Sequence, residues 1–239
     1  MSKRPCVLVH GGWCGGWHWE EVAERLRAIG GDVYAPTLTG MAERAAEARA
    51  DTGLQAHVAD VVAVIDDHDL RDVVLVGHSY GGMVVTGAAQ DRADRISQLV
   101  YLDAWVPDDG QSLADILGPE FVASAHAAAD GAGTPSMVPP LFGVEEAVGW
   151  TGERAEAFAA RRSSQPIQTM YEAVITNGEM SAQRSFIYCS AQSLGLFESY
   201  ARTARESDDW RYFELASPHD AVHAMPAAVV GIIDTLRED

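Results

Sequence analysis

Residues 73–82 read VVLVGHSYGG, and no other stretch constrains the fold as tightly. Val73-Val74-Leu75-Val76 is an apolar run too short for a helix and reads as a buried strand. It passes into Gly77-His78-Ser79-Tyr80-Gly81 and then directly into a helical segment at 81–90. A turn that converts strand to helix over five residues crowds the two backbones, so the positions flanking its centre must lack a Cβ. The residue at the centre is Ser79. Its hydroxyl is lifted above the sheet edge, at the positive end of the helix dipole.

The surrounding pattern supplies the sheet that such a turn needs. Strands are expected at 6–9, 32–38, 72–76 and 96–102, alternating with helices at 19–29, 54–68 and 81–90. Each helix carries a single apolar stripe, such as Val58, Val61, Val62 and Ile65. Strict alternation predicts an α/β fold, a mostly parallel sheet flanked by helices on both faces. The alternation stops at Trp105 and resumes at Arg184, with a strand at 185–189, a helix near 194–205, a strand at 210–215 and a helix at 226–237. Residues 1–104 and 184–239 therefore read as one core, and the proline-punctuated residues 105–183 as a cap insertion.

Composition narrows the partners. A formal charge of −18 leaves no basic surplus for nucleic acid or an anionic membrane. Three scattered cysteines, Cys6, Cys14 and Cys189, without a CxxC pair, argue against a disulfide framework or a metal site. With no signal-like start and no apolar stretch of spanning length, a cytoplasmic location is expected.

Two further segments carry chemistry. HGGWCGGWHW at 10–19 follows the first strand, and its glycines free backbone N–H groups to face a ligand. Acyl transfer requires two donors aimed at the oxygen that becomes negative, and the expected pair is the N–H groups of Gly12 and Tyr80. The second segment is Ser217-Pro218-His219-Asp220, after the last strand. It leaves the same sheet edge as Ser79, which makes His219 the expected general base. His78 is expected to pack beneath the turn, and His18, His126 and His223 are weaker alternatives.

In order and motif, HGGWCGGWHW, GHSYGG and PHDAVHAMP resemble the α/β-hydrolase superfamily, in the branch of plant methylesterases, hydroxynitrile lyases and small bacterial esterases. The resemblance implies Ser79 as nucleophile, His219 as base, and Gly12 and Tyr80 as the oxyanion hole, with no cofactor. In that branch the triad acid follows the strand at 185–189, where this chain has Ser190-Ala191-Gln192-Ser193. Gln192 could accept a hydrogen bond but carries no charge. Asp103, at the end of the neighbouring strand ISQLVYLD, keeps the order Ser, Asp, His and is the favoured acid. The alternatives are that Asp103 merely caps the turn into the insertion, or that Glu198 or Asp220 serves.

The branch's lyases place a threonine and a lysine where this chain has Gly11 and Asp220, which disfavours cyanohydrin cleavage. Hydrolysis of a small apolar or aromatic carboxylic ester or lactone, through an acyl-serine, is the expected activity. Trp13, Trp17, Trp105, Phe121, Met137, Leu141 and Phe142 are the expected pocket. A non-hydrolytic cyclase or lyase on the same fold, or a ligand-binding module with a vestigial triad, are the alternatives.

Overall fold

The computed structural model of the 239-residue chain describes residues 3–176, 181–191 and 195–238. Its centre is a six-stranded sheet of β1 (Cys6–Val9), β2 (Val33–Tyr34), β3 (Val73–His78), β4 (Ile96–Leu102), β5 (Gln183–Cys189) and β6 (Trp210–Leu215). The order across the sheet is β6-β5-β4-β3-β1-β2, and every adjacent pair is parallel. The helices are α1 (Glu20–Ala28), α2 (Leu54–Asp67), α3 (Gly81–Asp91), α4 (Leu113–Gly131), α5 (Val144–Val148), α6 (Gly152–Arg161), α7 (Glu198–Glu206), α8 (Ala221–Ala224) and α9 (Pro226–Glu238).

Period-two alternation divides the core. Val7, Val9, Val73 and Leu75 face α2 and α3, whereas Cys6, Leu8, Val74 and Val76 face α1 and α9. Burial on both sheet faces explains why the inner strands read as continuous apolar runs. From β1 the chain winds outward to β2, then returns to β3 and winds the other way. The connections diverge between β1 and β3, and at the carboxyl ends of these strands they leave a crevice, the usual binding place in open parallel sheets.

The second strand is shorter than its apolar run suggests. Only Val33 and Tyr34 pair with β1. Pro36 has no N–H to give a ladder, and the next backbone groups turn to side chains: Leu38 N–H donates to His10 Nε2 (3.1 Å) and Thr39 N–H to Asp60 (2.7 Å). The helix expected near 194–205 begins at Glu198, and residues 192–194 lie outside the described residues. The stretch between β4 and β5 contains α4, α5, α6 and two pairs of two-residue antiparallel strands. Ser112 and Asp115 cap α4 reciprocally, and the helix breaks at Gly118-Pro119, where Gly118 takes φ 79°. Among the described residues no helix is long and apolar enough to cross a membrane.

Candidate active site

Gly77 and Gly81 make the turn around Ser79 possible. A Cβ on Gly77 would lie 2.6 Å from Gly81 O, and one on Gly81 2.8 Å from Val9 O. The turn holds Ser79 at φ 54°, a left-handed backbone that a serine adopts only under constraint. Its N–H donates to Leu102 O, while its own carbonyl accepts from Gly82 and Trp105. Tyr80 follows at the start of α3, where the first N–H groups have no acceptor within the helix.

The loop after β1 lies directly across from this turn. A Cβ on Gly11 would come within 3.1 Å of Ser79 Cβ, and one on Gly12 within 3.9 Å of Tyr80 Cβ. Gly12 and Tyr80 thus approach from the two sides of the β1–β3 crevice. His10 underlies the loop, bonded to Gly11 O (2.8 Å) as well as to Leu38 N–H, and burial drops its pKa to about 3.

His219 comes from the loop after β6. Its Nδ1–H donates to Asp103 Oδ2 at 2.6 Å, joining residues 116 apart in sequence. Asp103 directly follows β4, at φ 42°, and is fully buried. Its N–H donates to Ile187 O (2.8 Å), and its Oδ1 accepts from Cys189 N–H (3.2 Å). Burial pushes this carboxyl up, with the His219 hydrogen bond acting against it. The His219 ring is sandwiched between Phe197 (centroids 5.1 Å apart, planes 8° apart) and His78 (4.7 Å). His78, which sequence reasoning set beneath the turn, is buried against the His219 ring and lines the cavity, its Nε2–H directed to His219 O (3.2 Å). Burial takes its pKa well below the ordinary imidazole value.

The other acid candidates are placed elsewhere. Asp220 is buried and turned to His18 Nε2 (3.0 Å) and His223 Nδ1 (3.2 Å). Burial pushes its carboxyl up, but these two histidines outweigh it and hold the pKa well below the usual carboxylate range. Glu198 opens α7 in its first turn. Gln192 lies outside the described residues. His126 meets the Tyr171 hydroxyl in the cap.

Ser79, His219, Gly12 and Tyr80 line one cavity, together with Trp13, Trp105, Phe121, Leu141 and Phe142 of the expected pocket. Trp17 and Met137 are not part of its wall. Trp17 packs edge-on to Phe158 (5.4 Å) beneath α6, with the Arg161 guanidinium over its other side. Met137 and Val138 are successive residues of an extended pair, so their side chains oppose each other, and it is Val138 that faces the cavity. Sequence reasoning missed Leu117, Arg162, Gln165 and Phe197 in the wall. Leu117 sits four residues after Leu113, another wall residue, on the first segment of α4, and that helical spacing was the available signal. The others carry none.

Among the described residues, His18, Asp220 and His223 bring their ligand atoms within 4.8 Å of one another, the spacing of a metal site. Hydrogen bonding within the group already accounts for this arrangement.

Comparison with known proteins matches this architecture. Residues 6–232 match the family model described as the alpha/beta hydrolase family. A carbendazim hydrolyzing esterase of Nocardioides sp. (strain SG-4G) is 34% identical over 232 residues, covering 92% of this chain and 94% of its own. Methylesterase 2 of Arabidopsis thaliana is 29% identical over 163 residues, 67% of this chain and 54% of its own. Among solved structures, an extracellular alpha/beta-hydrolase from a Paenibacillus species superimposes with a TM-score of 0.84 at 25% identity, over 99% of this chain and 100% of its own. Its description reports structural and functional homology to tobacco salicylic acid binding protein 2. With its parallel sheet, its glycine-bounded serine turn and a match across nearly its whole length, the chain belongs to the alpha/beta hydrolase family.

Proposed function

We propose that the protein is a serine hydrolase that cleaves a small carboxylic ester with an apolar or aromatic acyl group. The observation that carries this reading is the 2.6 Å contact between His219 Nδ1 and Asp103 Oδ2, with His219 and Ser79 in the wall of one cavity. Nδ1–H donation to Asp103 leaves Nε2 of His219 as the basic nitrogen.

In the first half-reaction His219 takes the Ser79 proton as Oγ attacks the ester carbonyl. The N–H groups of Gly12 and Tyr80 receive the oxyanion, and His219 returns the proton to the departing alcohol. In the second, water attacks the acyl-serine with His219 again as base, the acyl–Oγ bond breaks to release the carboxylic acid, and His219 returns the proton to Ser79 Oγ. Buried Asp103 stabilises the imidazolium formed in both halves. The rings of Trp13, Phe121 and Phe142 favour a flat apolar acyl group. The curated relatives named as esterases support ester hydrolysis as the chemistry.

The test is turnover of short p-nitrophenyl esters, with a fluorophosphonate probe followed by peptide mapping. Hydrolysis should be lost in Ser79→Ala and the label should fall on Ser79. A Ser79→Ala protein that hydrolyses these esters at the parent's rate removes the proposal.

A further inference from the structure

Two successive arginines leave the end of α6 in opposite directions. Arg161 closes the helix and meets Glu20 Oε2 (3.3 Å) at the surface. Arg162 has left the helix, at φ −73° and ψ 146°, and its half-buried side chain enters the cavity wall. There Nη1 donates to Phe142 O at 2.8 Å, and the guanidinium carbon stands 5.8 Å from the centre of the Trp13 ring.

The chain has 35 Asp and Glu against 17 Lys and Arg, yet among the described residues no carboxylate lies within ion-pair distance of Arg162. Asp220 is the one carboxylate in the wall. Its Oδ2 is taken by His18 Nε2 (3.0 Å), and its Oδ1 by the N–H and Nδ1 of His223 (both 3.2 Å). Burial lowers the Arg162 pKa, with Cys14 and Asp220 opposing, but a guanidinium keeps its proton throughout the physiological range. A positive charge in an apolar wall without a paired anion is unfavourable. Of its five N–H donors only one is engaged. His18 Nδ1 and His78 Nδ1 also lack partners, but both atoms are sealed from any space that a ligand could reach. The unpaired Nε and Nη2 of Arg162 are not sealed in this way.

We propose that Arg162 is a carboxylate-binding element, and that the ester substrate carries a second, free carboxylate at the end of its aromatic acyl group away from the scissile bond. This rests on the esterase reading above and narrows it to the half-esters of aromatic dicarboxylic acids. A planar carboxylate offers the guanidinium two parallel acceptors, and the Trp13 and Phe142 rings lie beside that contact to receive the acyl ring. The net charge of −18 opposes an anion at a distance, an effect that salt screens, whereas a contact inside the cavity is screened little.

The experiment compares monomethyl terephthalate and monomethyl isophthalate with methyl 4-nitrobenzoate and methyl 3-nitrobenzoate, which match them in shape and lack the charge. Dissociation constants are measured by calorimetry on Ser79→Ala protein at about 0.15 M salt, so that binding is read without turnover and surface charge is screened. At least one half-ester should bind about 10-fold more tightly than its nitro counterpart, the worth of a hydrogen bond to a charged group. Adding Arg162→Gln should bring that pair within about 2-fold, whereas Arg162→Lys, which keeps the charge, should retain part of the preference. Half-esters that bind no better than the nitro esters with Arg162 intact, or that fail to bind at about 10 mM, overturn the proposal whatever the variants do. A preference that survives Arg162→Gln undiminished overturns it too. Kinetics on the parent keep the two readings apart: a carboxylate preference in binding without any hydrolysis removes the esterase assignment alone, and hydrolysis of the nitro esters without that preference removes this proposal alone.

Discussion

Ser79 and Asp103 share a backbone that neither side chain favours: φ is 54° at the first and 42° at the second. They stand at the carboxyl ends of neighbouring strands β3 and β4 and are tied together, Ser79 N–H reaching Leu102 O and Trp105 N–H reaching Ser79 O. Left-handed backbone at a non-glycine residue costs on the order of 1–3 kcal/mol. Trp13, in the loop after β1, takes φ 63°, so three left-handed non-glycine residues gather at the carboxyl ends of β1, β3 and β4.

Replacing Ser79 by glycine should therefore stabilise the fold while removing activity. A gain of about 1 kcal/mol is expected for Ser79→Gly, and little change for Ser79→Ala, which keeps the Cβ. Urea denaturation of the three proteins checks this. A glycine variant less stable than the alanine variant would mean that the turn is unstrained.

Asp103→Asn should fold, because asparagine tolerates the left-handed backbone. Its turnover of a p-nitrophenyl ester should fall by about 10³–10⁴, the effect of replacing a triad carboxylate by its amide. Asp220→Asn is the control, since its carboxylate is directed to His18 and His223. If Asp220→Asn is the variant with the large loss, the acid has been misplaced.

Gly81→Ala should loosen the turn. Its new methyl would lie 2.8 Å from Val9 O and 2.9 Å from His10 O, both backbone atoms that cannot rotate aside. A loss of about 1–3 kcal/mol is expected, with reduced kcat. Gly131→Ala, where a Cβ would meet nothing within 4 Å, should leave both unchanged. Thermal melts and steady-state kinetics on the two variants make the comparison.

Acid should destabilise the protein before its carboxylates titrate. Burial lowers His10 to about 3 and His57 to about 4, whereas in the unfolded chain both titrate near the ordinary value of 6.5. Between those limits the unfolded state binds more protons, so stability falls as pH drops from 7 toward 4. The combined loss is on the order of several kcal/mol. Asp103, raised by burial, gives an opposing contribution as pH falls into its own range, and Asp220, held low, adds a loss only below the usual carboxylate range. Urea midpoints at pH 7.5, 6 and 5 should decline steadily. Constant midpoints would show that these histidines protonate without unfolding.

Regular patterns made most of this architecture readable from sequence. Burial on both faces left β1, β3, β4 and β5 as apolar runs, and crowding at Ser79 left its flanking glycines. Asp103 was readable because a carboxylate closing an apolar strand needs a partner. What stayed hidden has no periodicity to report it. Gln165, Arg162 and Phe197 reach the cavity through tertiary packing, and the His18–Asp220 pair joins residues 202 apart. The amphipathic run that forms α6 was legible in principle, but the prolines and short elements around it masked the signal.

Every described residue from Trp105 to Ala182 enters and leaves between β4 and β5, two strands already zipped to each other. The β4–β5 pairing and the His219–Asp103 contact each bridge that excursion, which returns the chain to the strand beside the one it left. Residues can therefore be added to or removed from the cavity roof at that excursion without changing which strands of the sheet are neighbours.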